Sequence, residues 1–178
     1  MATKTFLSLD EFQSLLEPDV GSYELDQGEL FYVSPNNLEH NEIRDKLYIP
    51  MREFVRQRGL GIVTAETLFK LGTGLVRAPN IAFIPAERLG MMNPREYLEA
   101  VPALVVEVLS PGNKPLDVTR KSHQYRAAGV HTVLVLDSER READLIDAAG
   151  VRTVRAGGTL EIPALLPGFS IPLSALFE

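Results

Sequence analysis

Glu107, Lys121 and Tyr125 bracket an apolar run, Leu104 to Leu109, a Ser110-Pro111-Gly112 turn and the start of a helical pattern. A carboxylate leaving a strand and a lysine one helical turn into the next element are the side chains that metal-assisted phosphodiester hydrolysis calls for. The first would hold a hard divalent cation and the second would stabilise charge building on the phosphate. Pro79-Asn80, opening the apolar run Ile81 to Ile84, stands where such a site wants a second carboxylate and carries an amide instead. Each residue also has a plainer reading. A carboxylate inside an apolar strand needs a partner, and Lys121 could simply complete a buried pair with Glu107. Asn80 after a proline is an ordinary turn residue, Glu24 an ordinary edge-strand glutamate, and Tyr125 suits helix packing as well as a site.

Positioning these side chains takes a strand for Glu107 and a helix for Lys121. Ile81 to Ile84, Val101 to Leu109 and Thr132 to Leu136 are apolar on both parities, the pattern of strands covered on both faces at the centre of a mixed sheet flanked by helices. Asp117 to Ala128, ended by Gly129, reads as the helix carrying Lys121. Tyr23-Glu24-Leu25 and Glu29 to Val33 are strand-like with Asp26-Gln27-Gly28 between them, which predicts a hairpin with Glu24 on its first strand. From Asn37 to Arg58, Ile43, Leu47, Met51, Phe54 and Val55 recur at helical spacing, and Pro50 is expected to kink that helix.

Ser8 and Glu11 form a capping-box pattern ahead of Phe12, for a short helix stopping near Pro18. Ile62-Val63 and Thr67 to Leu71 suggest short strands of one middle sheet, and Pro94 to Ala100 a surface helix. Ala143 to Ile146 with Val151 to Val154 suggest a closing hairpin, and the Pro-rich stretch from Leu160 an irregular tail. No repeat, low-complexity segment or linker interrupts the chain, so residues 1–178 are expected to form one domain of α/β (α+β) class.

Composition narrows the functions. With 45% apolar residues the chain can bury a sizeable core. It has no apolar run near the ~20 residues that cross a bilayer and no signal-peptide pattern at Met1-Ala2-Thr3-Lys4, so a cytoplasmic protein without membrane contact is expected. The absence of cysteine excludes thiolate metal sites and cysteine nucleophiles, leaving oxygen and histidine as ligands. A net charge of −6 argues against broad nucleic-acid affinity, so a nucleic-acid partner needs a local basic groove, for which Arg52 to Arg58 and Arg120 to Arg126 are candidates. His40, between Glu39 and Glu42, reads as a solvated helix start. His123 and His131 lack ligand spacing and read as structural.

Tyr23-Glu24-Leu25 with Gly28, His40, Pro79-Asn80, Val106 to Pro111, Asp117 with Lys121, Tyr125, Gly129-Val130 and the closing Leu166-Pro167-Gly168-Phe169 together resemble the Uma-two family. The resemblance spans Ser8 to Phe177 and rests on the order and spacing of several motifs. It implies a restriction endonuclease of the PD-(D/E)xK nuclease superfamily, with a restriction-endonuclease-like mixed central sheet flanked by helices. Carried over by position, Glu107 matches the acidic residue of the third motif, Lys121 the lysine displaced onto the following helix, and Glu24 the N-terminal acidic residue. Asn80 stands where the family has aspartate, and Leu109 occupies the usual lysine position.

The resemblance implies Mg²⁺, with Mn²⁺ as a substitute, held by Glu107, the Val108 backbone carbonyl and the residue at 80. It also implies DNA as substrate and a homodimer by analogy with nucleases of this fold. An amide oxygen at 80 can still meet Mg²⁺ but removes one negative charge, so the expected function is a Mg²⁺-dependent DNA endonuclease with a compromised metal site. The alternatives are a catalytically inactive module of the same fold that binds nucleic acid or protein, and a small dimeric protein in which Glu107 and Lys121 form a buried ion pair.

Overall fold

A computed structural model describes residues 7–15, 22–33, 35–91, 99–110 and 115–178. A short helix, α1 (Leu9–Leu15), opens the described chain, and its first turn is closed as the capping box predicts. The Glu11 backbone N–H donates to Ser8 Oγ at 3.2 Å while Glu11 Oε2 accepts from the Ser8 backbone N–H at 2.8 Å. The expected stop at Pro18 lies outside the described residues. Strands β1 (Ser22–Asp26) and β2 (Glu29–Val33) form the hairpin. Gln27 and Gly28, both at positive φ (52° and 82°), supply the turn that matches strand twist.

Helix α2 (Leu38–Arg58) starts at the Asn37 cap, whose side chain accepts from the His40 N–H, and ends on left-handed Gly59. It runs through Pro50 as one assigned helix, burying Ile43, Leu47, Met51 and Val55. After it come β3 (Gly61–Ala65), β4 (Phe69–Gly72), β5 (Leu75–Arg77) and β6 (Ile81–Pro85). The expectation of one middle sheet is corrected here. β3 pairs with β6 in the main sheet, whereas β4 and β5 join β1 and β2 in a separate four-stranded sheet of order β2-β1-β5-β4. Sequence parity reports a strand's faces, not its neighbours.

A 3-10 turn over Ala86–Met91 follows β6. Most of the surface helix predicted at Pro94 to Ala100 lies outside the described residues, and residues 99 and 100 are not helical. Strand β7 (Leu104–Leu109) leads to α3 (Pro115–Ala127) and the parallel strand β8 (Thr132–Asp137). The hairpin β9 (Glu142–Asp147) and β10 (Gly150–Val154) completes a six-stranded mixed sheet of order β10-β9-β8-β7-β6-β3.

The two parities of the central strands feed two cores. Leu104, Val106, Val108, Leu134 and Leu136 pack towards α2, while Val105, Val133 and Val135 pack with Tyr125 of α3 and Phe69 of β4. The C-terminal stretch is more ordered than its proline content suggests. It forms β11 (Thr159–Glu161) and β12 (Ser170–Pro172) and a last turn of helix, α4 (Ser174–Phe177). Leu160, Ile162, Leu166, Phe169, Leu173 and Leu176 from this stretch are buried in the α2-side core. Among the described residues no helix is long and apolar enough to cross a membrane.

Candidate active site

Glu107 lies near the C-terminal end of β7, on the parity that faces α3. The parallel partner β8 must be reached through a crossover helix, and that crossover is α3, which lays Lys121 and Tyr125 over the carboxylate. The Tyr125 hydroxyl donates to Glu107 Oε1 at 2.6 Å, and Lys121 Nζ stands 3.7 Å from the same oxygen. From the other sheet, Glu24 of β1 receives Lys121 Nζ at 3.1 Å on Oε2 and 3.2 Å on Oε1. Three of the residues picked from sequence, Glu24, Glu107 and Lys121, therefore converge, with Tyr125 as a fourth member. The Ser110-Pro111-Gly112 turn lies outside the described residues beyond Ser110.

Behind Glu24 is a network that sequence reasoning missed. Arg77 of β5, only 1% exposed, donates from Nη1 to Glu24 Oε2 at 2.9 Å and from Nη2 to Gln124 Oε1 at 2.6 Å. The same guanidinium stands 2.7 Å from Asp26 Oδ2, which Arg120 Nη1 reaches at 2.9 Å. Gln124 Nε2 donates to Asp26 Oδ1 at 2.7 Å, and the Ala78 backbone N–H donates to Glu24 Oε1 at 3.1 Å. The available signals were Glu24 and Asp26 two apart on one strand face, and an arginine ending the apolar run Leu75-Val76. The antiparallel register pairing Leu25 with Val76 sets Glu24 level with Arg77 one step further on.

Asn80 comes to the same place by another route. One step beyond the last paired residues of β6 and β7, Ile81 and Val106, Asn80 stands level with Glu107. Its Oδ1 accepts from the Val108 backbone N–H at 2.8 Å, so the two remaining sequence-picked residues are joined to each other. His40 is corrected from a solvated helix residue to a buried one, 4% exposed, close enough to the Val108 backbone and the Asn80 side chain for both to act on its ring, whose Nδ1 has no hydrogen-bond partner among the described residues. Burial holds its pKa below the ordinary histidine value and nearby Arg44 adds to that, against the opposing pull of Val108 and Asn80.

The electrostatics fix protonation roles. Burial pushes the Glu107 carboxyl up, with Glu24 adding to the rise and Lys121 opposing it. Burial alone would lower Lys121, but the charges of Glu107 and Glu24 outweigh it and hold the ammonium above its ordinary value. Burial, then the Glu107 and Glu24 charges, raise Tyr125 well above the usual phenol range. At neutral pH Lys121 is thus a fixed positive charge rather than a base, and Tyr125 a fixed donor.

The donor set can be tested against the divalent cation that the motif implies. Among the described residues, no group of three or more His, Cys, Asp or Glu side chains is placed to hold a metal ion. Asn80 is neutral and its oxygen already accepts from Val108. Glu24, Asp26 and Glu107 face Arg77, Arg120 and Lys121, so the cluster's formal charges cancel. As the chain stands, these residues do not make a divalent-cation site.

The two basic stretches do not share a groove. Arg56 pairs with Glu53 while Arg52 and Arg58 lie over the rings of Tyr48 and Phe54, all on α2, across the sheet from α3. The remaining histidines stand apart from the carboxylates. His131 Nδ1 lies 2.8 Å from Thr132 Oγ1. His123 lines a separate cavity of about 680 Å³ with Leu109, Val118, Asp137 and Ile146. The acids there are held locally: Asp137 accepts from the Arg140 N–H, Asp144 from Thr153 and Asp147 from the Ala149 N–H. That cavity is not the Glu107 site.

A mixed sheet flanked by helices, with a strand glutamate and a crossover-helix lysine meeting near the C-terminal end of β7, defines a restriction-endonuclease-like protein. The chain belongs to the Uma2 family, described as "Putative restriction endonuclease", whose family model matches residues 9–174. Its fold is that of a crystal structure described as a putative nuclease belonging to DUF820 from Anabaena variabilis ATCC 29413. The TM-score is 0.84 at 16% identity, over 96% of this chain and 97% of that one. The comparison with curated proteins finds no match.

Proposed function

We propose that this chain carries the phosphodiester site of a DNA endonuclease in which Mg²⁺ or Mn²⁺ binding is crippled by Asn80, so that it cleaves weakly or not at all as it stands. The observation that carries this reading is the Asn80 side chain level with Glu107 and bonded to the Val108 N–H at 2.8 Å. It is a neutral group in the slot where the family's pattern places a carboxylate. One charge ~4 Å from a cation is worth about 4 kcal/mol at an effective dielectric of ~20, before desolvation offsets it. The loss is large enough to silence a metal site. The chain's own residues retain the rest of the apparatus. Lys121 offers a fixed positive charge to an approaching phosphate, Tyr125 holds Glu107, and Arg77 with the Ala78 N–H holds Glu24.

The test compares native protein, Asn80→Asp, and Asn80→Asp with Lys121→Ala on plasmid and single-stranded DNA in Mg²⁺ or Mn²⁺. Cleavage that is absent or weak in the native chain should rise at least tenfold with Asn80→Asp and vanish when Lys121→Ala is added. A folded Asn80→Asp protein that still leaves DNA intact sinks the reading. The closed ion network favours one second reading, a catalytically inactive module of this fold that binds nucleic acid or protein. That reading predicts no cleavage by any variant, with whatever binding there is surviving Glu107→Ala. Cutting both strands of a duplex takes two sites, which a homodimer would supply; a monomer mass by light scattering would remove that part of the proposal.

A further inference from the structure

The cluster contains a cation already. Lys121 Nζ lies 3.1 Å and 3.2 Å from the two oxygens of Glu24 and 3.7 Å from Glu107 Oε1. These carboxylates come from different sheets, β1 and β7. The other two cations are placed differently. Arg77 contacts Glu24 and Asp26, and Arg120 contacts Asp26. Lys121 alone of the three is shown spanning Glu24 and Glu107. It arrives on a flexible stem from a helix, its side chain 29% exposed against 4% for Glu24 and 14% for Glu107, so the stem rather than the carboxylate pair reaches solvent. An oxygen-liganded divalent ion would seek the same position, between two carboxylates, with waters completing its shell once the ammonium is gone.

We infer that the Lys121 ammonium is a built-in counter-ion that occupies the place between Glu24 and Glu107, and thereby excludes divalent cations from the native chain. The inference concerns cation binding and stands whether or not the chain cleaves DNA. It adds a second cause of metal exclusion to the charge missing at Asn80, with a different signature. Restoration through Asn80→Asp depends on the carboxylate introduced at position 80 acting with Glu107, whereas vacating the ammonium exposes a pair formed by Glu24 and Glu107. Lysine to methionine keeps the stem and removes the charge. Lysine to arginine keeps the charge.

Calorimetric titration with Mn²⁺ alone at pH 8, together with thermal melts in Mn²⁺ and in EDTA, tests this on the full chain. The native protein and Lys121→Arg should show no saturable site. Lys121→Met should bind one Mn²⁺ per chain and gain roughly 5 °C or more in Tm at saturation. Glu24→Gln added to Lys121→Met should abolish the gain. Saturable Mn²⁺ binding by the native chain that Glu24→Gln removes would overturn the inference. So would a folded Lys121→Met protein that binds none. A Lys121→Met chain unfolded equally in Mn²⁺ and EDTA also counts against it, since an ion able to take the ammonium's place would restore the cluster.

Discussion

His40 shows how far a residue's surroundings can depart from its sequence neighbourhood. Flanked by Glu39 and Glu42 it reads as solvated, yet α2's first turn carries it under the Asn80 and Val108 segment, where burial lowers its pKa below the ordinary 6.5. A histidine that binds its proton less tightly when folded leaves the unfolded state holding more protons between its folded value and 6.5. Stability therefore rises with pH across that window and falls as the solution is acidified through it. Chemical denaturation from pH 7.5 to 5 should show this acid loss in the native chain and a shallower one in His40→Gln. A ring titration by NMR should place the His40 midpoint below 6.5; a midpoint at or above that value would contradict the burial argument. Glu107 stood out because a carboxylate breaks the pattern of an apolar strand, whereas Lys121 was picked for its distance from Glu107 and Asn80 only through the family resemblance. Arg77, Asp26, Gln124 and Arg120 were not, since their meaning comes from partners about fifty or a hundred positions away, such as Arg77 with Glu24 and Gln124 with Asp26.

At the scale of elements, the strands apolar on both parities and the helices with clear caps were legible, because burial on two faces and termination chemistry are local. The division of β3 from β4 and β5 was not, and neither was the order in the C-terminal stretch, whose apolar residues are individually short runs. The seam between β3 and β6 hinges on Gly61. It has a φ of +144°, and a Cβ there would collide with the Ile84 carbonyl oxygen and the backbone of Pro85 and Ala86. No side chain can shift to relieve a clash with backbone, and the conformation is one L-residues rarely adopt. Gly61→Ala should cost on the order of 2 kcal/mol or more by urea denaturation, through loss of the edge strand. At Gly59, where a Cβ meets nothing within 4 Å, the substitution keeps only the positive-φ penalty of about 1 kcal/mol. Equal losses at the two glycines would refute the packing account.

The whole molecule carries a net charge of −6, and among the described residues the cations beside Glu107 are already engaged: Arg77 by Glu24 and Asp26, Arg120 by Asp26, Lys121 by Glu24 and Glu107. Arg52, Arg56 and Arg58 of α2 are taken up by Tyr48, Glu53 and Phe54 on the helix that packs on the core built by Val106 and Val108, and Arg44 pairs with Asp45 and Glu66. Among the described residues, a duplex presented to Glu107 therefore meets few cations free to replace counter-ions. Each phosphate neutralised contributes about −0.9 to the slope of log affinity against log salt, and an extended basic face makes roughly 6–10 such contacts. This chain should show a slope of only about −2 to −3 by fluorescence anisotropy with a short duplex in EDTA. Lys121→Ala should move it towards zero by about one unit. A slope steeper than about −5 would mean that a second basic surface, away from Glu107, carries the binding, and the assignment of DNA to this end of the sheet would fall.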